Sequence, residues 1–334
     1  MKKGCLNWSV EQLPNMTNTS CTECHEPVRL GNIILYTVNA GGSGGFEVIV
    51  CANCGNIFTY WDQELNLQEF YDSMDYTVRD TKKSIFFLIQ EFEYRRVLST
   101  MSRLAVTKPK TLLDFGAGKG VFLQIAKLAG FEVKGVETSI PRANYAKEYY
   151  QLTIDTNEFS SGKIFGQEFD VITSIHVFEH IPSARSLMKS LIDDNLTENG
   201  ICVFEVPNFQ SWQSKWSKGS WMHLDVPRHI NHFTPRRFES YLEAAGLKIL
   251  RTSYFSWHMG IIGMLQTLMH FFGYNGFIIA DIKKIKSTPL LLIPIGVLLP
   301  FAIIIEALAA MCNRGGVIRC YGIRNTSQNG IAES

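Results

Sequence analysis

The spacing of apolar positions changes several times along the chain. Residues 32 to 50, "NIILYTVNAGGSGGFEVIV", alternate apolar and polar around a glycine-rich tip, which predicts a β-hairpin. Residues 81 to 104, "TKKSIFFLIQEFEYRRVLSTMSRL", carry apolar residues at helical spacing with charges opposite, an amphipathic helix that stops before Lys108-Pro109. Strand and helix patterns then alternate: "TLLDF", a helix through "GVFLQIAKLAG", "FEVKGVE", a helix from Pro141 to Tyr150, "FDVITSI", a helix around Ala184 to Asp194, and "GICVFEVPN". Such alternation implies βαβ units, and so an α/β fold of Rossmann-like type, a mostly parallel sheet with helices on both faces. The glycine turn after "TLLDF", Glu137, and the segment after "FDVITS" then gather beyond the carboxyl ends of the strands, where ligands bind in such sheets.

The last third departs from this pattern. No Asp, Glu, Lys or Arg occurs from Thr252 to Ala280; "DIKKIK" follows, and then "PLLLIPIGVLLPFAIIIEALAAM", whose sole charge is Glu306. Runs this apolar approach the roughly 20 residues that cross a bilayer. Two full crossings would place the lysine cluster outside, against the positive-inside tendency. A hairpin lying in or dipping into the cytoplasmic leaflet suits the pattern better, its lysines near anionic headgroups, with a buried core helix pair as the alternative.

Composition narrows the setting. A 46% hydrophobic and 19% charged chain of 334 residues has ample material for a core, and a net charge of +1 supplies no basic field for nucleic acid, so no such partner is expected. The N-terminal "MKKGCLNWSVEQLPN" lacks an apolar signal region, which places the chain in the cytoplasm with reduced thiols. In that setting "CTEC" at Cys21 and Cys24 and "CANC" at Cys51 and Cys54 predict four thiolates closing around structural Zn²⁺. We assign residues 18 to 60 to a zinc ribbon, a redox pair or disulfide being the alternative. Cys5, Cys202, Cys312 and Cys320 are expected to be buried as small hydrophobes.

Gly116, Gly118 and Gly120 make G-x-G-x-G, one residue short of the dinucleotide fingerprint. Without Cβ atoms Gly116 and Gly118 let backbone approach a ligand, and Glu137 at the end of the second strand can accept from a ribose diol. Asp114 at the mouth of the loop is a poor neighbour for phosphates and a good one for a cationic or zwitterionic group. A nucleoside without phosphates is the ligand this suggests, although a nicotinamide cofactor stays open.

These residues resemble class I S-adenosylmethionine-dependent methyltransferases. "LLDFGAGKG" is similar to the first motif of that family, "FDVITSIHVFEHI" to its fourth strand and following loop, and "NGICVFEVPN" to its fifth strand. "HLDVPRHINHFTPRRFESYLEAAGLKIL" is similar to a subgroup with a histidine-containing segment before strand six. The likeness runs from about Tyr71 to Arg251 and resumes over "GVIRCYGIRN". It implies S-adenosylmethionine as cofactor, with Asp114 near its methionine portion, the three glycines along it, Glu137 on its ribose and Asp155 on its adenine. It also implies that "LKILRTSYFS" and "GVIRCYGIRN" are neighbouring strands, and it places Tyr71 and Tyr76 at a lid. Methyl transfer to a hydroxyl asks for an in-line acceptor and a base. The sequence offers His176, Glu179 and His180 after strand four, and His223, His229 and His232 after strand five; we single out His176 and His229 as catalytic candidates. A metal site through His223, Asp225, His229 and His232 is a minor alternative.

The expected organisation is therefore a ribbon over 18 to 60, a methyltransferase domain over 61 to 257 and 313 to 325, and a membrane-associated insert over 258 to 312. The expected activity is methylation, at oxygen, of a lipid-linked or otherwise membrane-located glycan at the cytoplasmic face of the membrane. The glycan leans on the resemblance, since a four-cysteine module ahead of this fold is similar to sugar methyltransferases. A quinone-like or lipid phenol is the alternative acceptor. A catalytically inactive, membrane-tethered zinc-ribbon adaptor is the alternative from another class.

Overall fold

The computed structural model describes residues 16–28, 32–39, 45–65, 85–283 and 289–325. Tyr71, Tyr76, Cys5 and the lysines at 284 and 286 lie outside them.

A seven-stranded sheet forms the body. Its strands are β5 (Thr111–Phe115), β6 (Glu132–Val136), β7 (Thr153–Asp155), β8 (Phe169–Ile175), β9 (Leu196–Pro207), β10 (Leu247–Ser253) and β11 (Val317–Arg324). They lie in the order β10-β11-β9-β8-β5-β6-β7. β5, β6, β7, β8 and β9 run parallel, while β11 inserts antiparallel between β9 and β10. Leu112, Leu113, Val171, Ile172, Val203 and Phe204 are fully buried, as near-continuous apolar strands require when helices cover both faces. The first face is covered by the helices Ile85–Leu104, Val121–Leu128 and Ile140–Tyr150, the second by Ala184–Asn195 and Pro235–Ala244. The ends of β5, β6, β7 and β8 therefore meet at one edge, and β10 and β11 are side by side, as the resemblance implies.

The N-terminal part forms a second, antiparallel sheet, β1 (Met16–Asn18), β2 (Ile33–Asn39), β3 (Gly45–Val50) and β4 (Ile57–Leu65), in the order β1-β4-β3-β2. The β2–β3 hairpin falls where the alternation puts it. Its relation to the body does not follow from the sequence, where the ribbon stands apart. The Thr59 amide donates to the Ile230 carbonyl at 3.0 Å and the His232 amide to the Ile57 carbonyl at 2.9 Å. Thr22 donates to the Asn231 side chain at 2.5 Å, and Val48 packs on Trp221 and Leu224. The ribbon is thus joined to the histidine-rich segment by backbone and core contacts.

The insert resolves into layers. The helix Met259–Phe271 lies inside, with Met264 fully buried and Leu265 nearly so, while Leu292–Met311 packs over it and shows a long apolar face to the outside. Val297 is 60% exposed and Phe301 57%, so this second helix, long and apolar enough to cross a membrane, is not a core helix. Its one charge points inward: Glu306, fully buried, accepts from Gln213 Nε2 and from the Gly316 amide at 2.7 Å each. A Cβ on Gly260 would lie 2.6 Å from Glu306 Oε1, so glycine permits the close approach of the two helices. The expected hairpin is therefore half buried, and neither an interfacial pair nor a core pair describes both helices. Cys202 and Cys320 are buried as expected, but Cys312 is exposed, because it follows directly on the outer helix.

The layering separates two kinds of substitution. Met264→Ala is expected to lower stability by about 2–5 kcal/mol through the cavity it leaves. Val297→Ser and Ile304→Ser, on the outer face, are expected to shift it by no more than about 0.5 kcal/mol. Chemical denaturation in detergent checks both.

Candidate active site

The glycine turn leaves β5 and doubles back over β6, the Gly116 and Ala117 amides donating to the Val136 carbonyl at 2.9 and 2.8 Å. Glu137, one residue past β6, accepts from the Gly118 amide at 2.7 Å and the Ser139 amide at 2.8 Å, which aims its carboxylate along the loop. The three glycines do different work. A Cβ on Gly118, at φ +55°, would meet no atom within 4 Å, so this glycine faces open space beside Glu137. A Cβ on Gly116 would lie 2.2 Å from Val177 Cγ2, and one on Gly120 2.9 Å from the Ala146 Cβ. Gly116 therefore serves the packing of the loop after β8 and Gly120 that of a helix, rather than direct approach to a ligand.

Asp114, at 4% exposure, accepts from Thr173 Oγ1 at 2.6 Å. Burial outweighs that hydrogen bond and, with a smaller push from Glu137, raises its pKa to about 7; no cation among the described residues offsets this. Asp155 closes the row: its carbonyl accepts from the Glu137 amide at 2.9 Å, and its carboxylate accepts from the Asn157 amide and side chain at 3.0 and 2.7 Å. Open space at Gly118, a carboxylate on each side and a buried acid lacking a counter-ion suit a ligand with a ribose diol and a positive centre. S-adenosylmethionine is such a ligand.

The histidines divide by charge. His176, at φ +58° just after β8, lies between two buried carboxylates, its Nδ1 3.1 Å from Glu179 and its Nε2 3.1 Å from Glu205. Burial opposes its charge, but the two carboxylates outweigh burial and push its pKa up to about 10. It enters the site as an imidazolium that positions acids, a state in which it accepts no proton. His229 is the opposite case. Burial, then the neighbouring His180, holds its pKa well below 6.5, so it is neutral; its Nδ1–H donates to the His223 carbonyl at 2.8 Å and leaves the lone pair on Nε2. His223 and His232 are neutral as well, each pushed down to about 3, first by burial. His232 is taken up by Thr59 of the ribbon at 2.9 Å, and His223 Nε2 lies 3.3 Å from the Met259 carbonyl of the insert. The minor alternative of a metal held by His223, Asp225, His229 and His232 thus loses two of its four ligands to other partners.

Several residues of the site escape a sequence reading. Glu205 on β9 and Arg319 on β11 face each other in register and form an ion pair, and Arg319 also pairs with Glu93 of the Ile85–Leu104 helix. The available signal was Glu205 as the one charge in "GICVFEVPN" and Arg319 in the middle of "GVIRCYGIRN", whose second arginine, Arg324, ends the strand.

The four cysteines converge at the end of the ribbon that meets the body, where the Ser183 amide donates to the Thr22 carbonyl at 3.0 Å and Arg237 donates to the Cys54 carbonyl. Cys21 Sγ lies 3.6 Å from Cys54 Sγ, and Cys24 Sγ lies 3.6 Å from Cys51 Sγ, with all four within 4.8 Å. Thiolates at 2.3 Å from zinc stand about 3.8 Å apart in a tetrahedron, so the set fits that ion.

Glu137→Ala is expected to weaken S-adenosylmethionine binding by about 1.5–3 kcal/mol in calorimetric titration. Because Asp114 titrates near 7 when unliganded and a cationic ligand favours its charged form, affinity should rise as pH increases from about 6 to 8, and Asp114→Asn should flatten that rise. Without ligand the same raised pKa lowers stability as pH increases from about 4 to 7. Replacing Cys51 and Cys54 by Ser is expected to release about one metal equivalent and, through Thr59 and Asn231, to loosen the histidine segment as well, measured by metal analysis and hydrogen exchange.

Residues 89–252 match the family described as "Methyltransferase domain". Among curated proteins, the chain is similar to a protein named ubiquinone biosynthesis O-methyltransferase from Histophilus somni, 26% identical over 115 residues, covering 31% of this chain and 48% of that one. A protein of the same name from Actinobacillus pleuropneumoniae is 27% identical over 109 residues, covering 30% of this chain and 46% of that one. The chain spans about half the length of the curated relatives it matches. Among solved structures, it is similar to an S-adenosylmethionine-dependent methyltransferase from Clostridium acetobutylicum (14% identity, TM-score 0.40, 56% of this chain and 89% of that one). It is also similar to the plantazolicin methyltransferase BpumL in complex with SAH (16% identity, TM-score 0.47, 77% of this chain and 93% of that one). With the strand order, the loop and the domain match taken together, residues 89–252 carry a methyltransferase domain of the class I S-adenosylmethionine-dependent type, β11 of its sheet lying outside the matched stretch.

Proposed function

We propose that the whole protein methylates an oxygen of a membrane-located acceptor at the cytoplasmic face of a membrane, a lipid-linked glycan being the acceptor class we favour. S-adenosylmethionine, when bound, supplies an electrophilic methyl group on a sulfonium centre. The chain supplies the surroundings: Glu137 and the Gly118 backbone orient the ligand, and Asp114 offers charge to its positive end. An oxygen acceptor is activated either by giving its proton to a base or by binding a cation, and both routes pass through the face formed by Glu179, His180 and His229.

One observation carries the membrane part of this reading. His223 abuts the inner helix of the insert at Met259 and stacks on His176, ring centroids 6.3 Å apart, while the outer helix turns its apolar face outward. This contact links the histidine segment to the insert whose outer helix bears an apolar face suited to lipid, which supports an acceptor held at a membrane. The similarity to ubiquinone biosynthesis O-methyltransferases favours a second reading, in which the acceptor is a quinone-like phenol. Zinc in the ribbon belongs to the proposal too, as a structural ion.

With S-adenosylmethionine carrying a labelled methyl group and total membrane lipid in detergent, label is expected in the organic extract; label confined to water-soluble acceptors would overturn the membrane assignment. Treatment that cleaves glycans from lipid distinguishes the two acceptor classes. Binding of the cofactor with no transfer to any fraction would favour the inactive adaptor. Val297→Ser with Phe301→Ser is expected to reduce flotation with anionic vesicles at least about tenfold.

A further inference from the structure

Two chain segments, the turn after β8 and the segment after β9, are clamped together at Glu179. Its carbonyl accepts from the Ile230 and Asn231 amides at 2.9 and 3.0 Å. The clamp sets Glu179, His180 and His229 around one point, with a potential ligand atom from each within 4.8 Å of the others. The rings of His180 and His229 meet edge to face at 4.6 Å.

Each imidazole is oriented by a backbone carbonyl. His180 Nδ1–H donates to the Arg228 carbonyl at 3.0 Å and His229 Nδ1–H to that of His223 at 2.8 Å; carbonyls only accept, so the proton sits on Nδ1 and the lone pair on Nε2 in both rings. This is the outer-shell arrangement that holds metal-binding histidines in place. His229 Nε2 faces acids: Glu179 Oε1 at 3.9 Å and Asp225 Oδ2 at 3.7 Å. Glu179 is 1% exposed, and its Oε2 is buried with no hydrogen-bond partner among the described residues. A buried carboxylate oxygen without a donor is costly, and a cation would offset that cost. His176 does not fill the role, because its charge is shared between Glu179 and Glu205 and it reaches only Oε1 of the former.

We propose that Glu179, His180 and His229, with Asp225 at the rim, form a binding site for a divalent transition-metal ion, separate from the four-cysteine cluster. Two imidazoles and a carboxylate suit zinc, iron, cobalt or manganese. Ligand atoms around a shared ion stand about 3–4 Å apart, so the cluster closes by about 1 Å to grip it. Three protein ligands leave open positions, the pattern of a reactive rather than a structural ion. The site adjoins the glycine loop, since Val177, two residues before Glu179, is the side chain that Gly116 makes room for. Resting on the methyl-transfer reading, the ion's open face would hold the acceptor's hydroxyl oxygen; the metal site itself stands without that reading.

The test is titration of the full-length, zinc-loaded protein in detergent with Co²⁺, which does not displace zinc from thiolates at equilibrium because zinc binds them more tightly. Wild type is expected to take up about one Co²⁺ with a visible spectrum free of thiolate charge-transfer bands. His229→Asn keeps an N–H near the His223 carbonyl but removes Nε2, and Glu179→Gln keeps shape but removes charge; each is expected to weaken Co²⁺ binding at least about tenfold with zinc content unchanged. Rejection of Co²⁺ by wild type, or undiminished uptake by both variants, overturns the site. S-adenosylmethionine affinity in the same wild-type sample reports separately on the methyl-transfer reading, so Co²⁺ uptake without cofactor binding would sink that reading and leave the metal site standing.

Discussion

A chain of buried charges governs how the parts of this molecule meet. Arg319 on β11 pairs with Glu205 on β9 and Glu93 on the Ile85–Leu104 helix. Glu205 in turn faces His176, and Glu93 accepts from His258 at the start of the insert. Every member is at least nine-tenths buried apart from His176, which is slightly more open. Charges taken out of water survive only when each is paired, and removing one partner from such a set typically costs about 3–5 kcal/mol. The helix before the sheet, its last two strands, the loop after β8 and the insert are therefore held in mutual register by electrostatics as much as by the apolar core. Residues far apart in sequence reach the site as one unit for that reason.

That constraint explains the charge division among the histidines. His176 is cationic because it ends the chain of charges, and its presence depresses the neighbouring His223 after burial has done so. His229, one segment away, is neutral and turned toward Glu179. The ribbon and the insert form two walls of the same region, the first through Thr59 and Asn231, the second through Met259 and Gln213. A small four-cysteine module and a hydrophobic helix pair, which look like appendages along the chain, thus both buttress the histidine-rich segment.

The sheet was legible because its signals are local and redundant: "TLLDF" and "FDVITSI" become strands over the residues their apolar runs delimit. The amphipathic helix was legible in period but not in content, since its buried stripe of Val97 and Met101 also carries Glu93, while Leu88 and Phe92 face outward. Periodicity reports which positions share a face, whereas Arg319, over two hundred residues away, decides that an acid belongs inside. The glycine loop was legible as a turn at a strand end, but not which of its glycines packs and which faces open space, because that depends on Val177 and Ala146 brought in from elsewhere in the chain. The acceptor side was not: whether a histidine is cation, ligand or hydrogen-bond donor depends on partners brought in by tertiary contacts. The insert was legible as a pair of apolar helices between the last two strands, but not in its layering, since Glu306 is an inward anchor that hydropathy counts only as an interruption.

The most direct test is an experimental structure of the full chain with S-adenosylhomocysteine bound. The expected result is a ligand lying along Gly118 with its ribose hydroxyls donating to Glu137, its amino-acid end toward Asp114 and its sulfur facing the turn that carries Glu179. A ligand bound elsewhere, or a glycine loop that excludes it while Glu137 keeps both of its backbone partners, would contradict the assignment of this edge as the methyl-donor site.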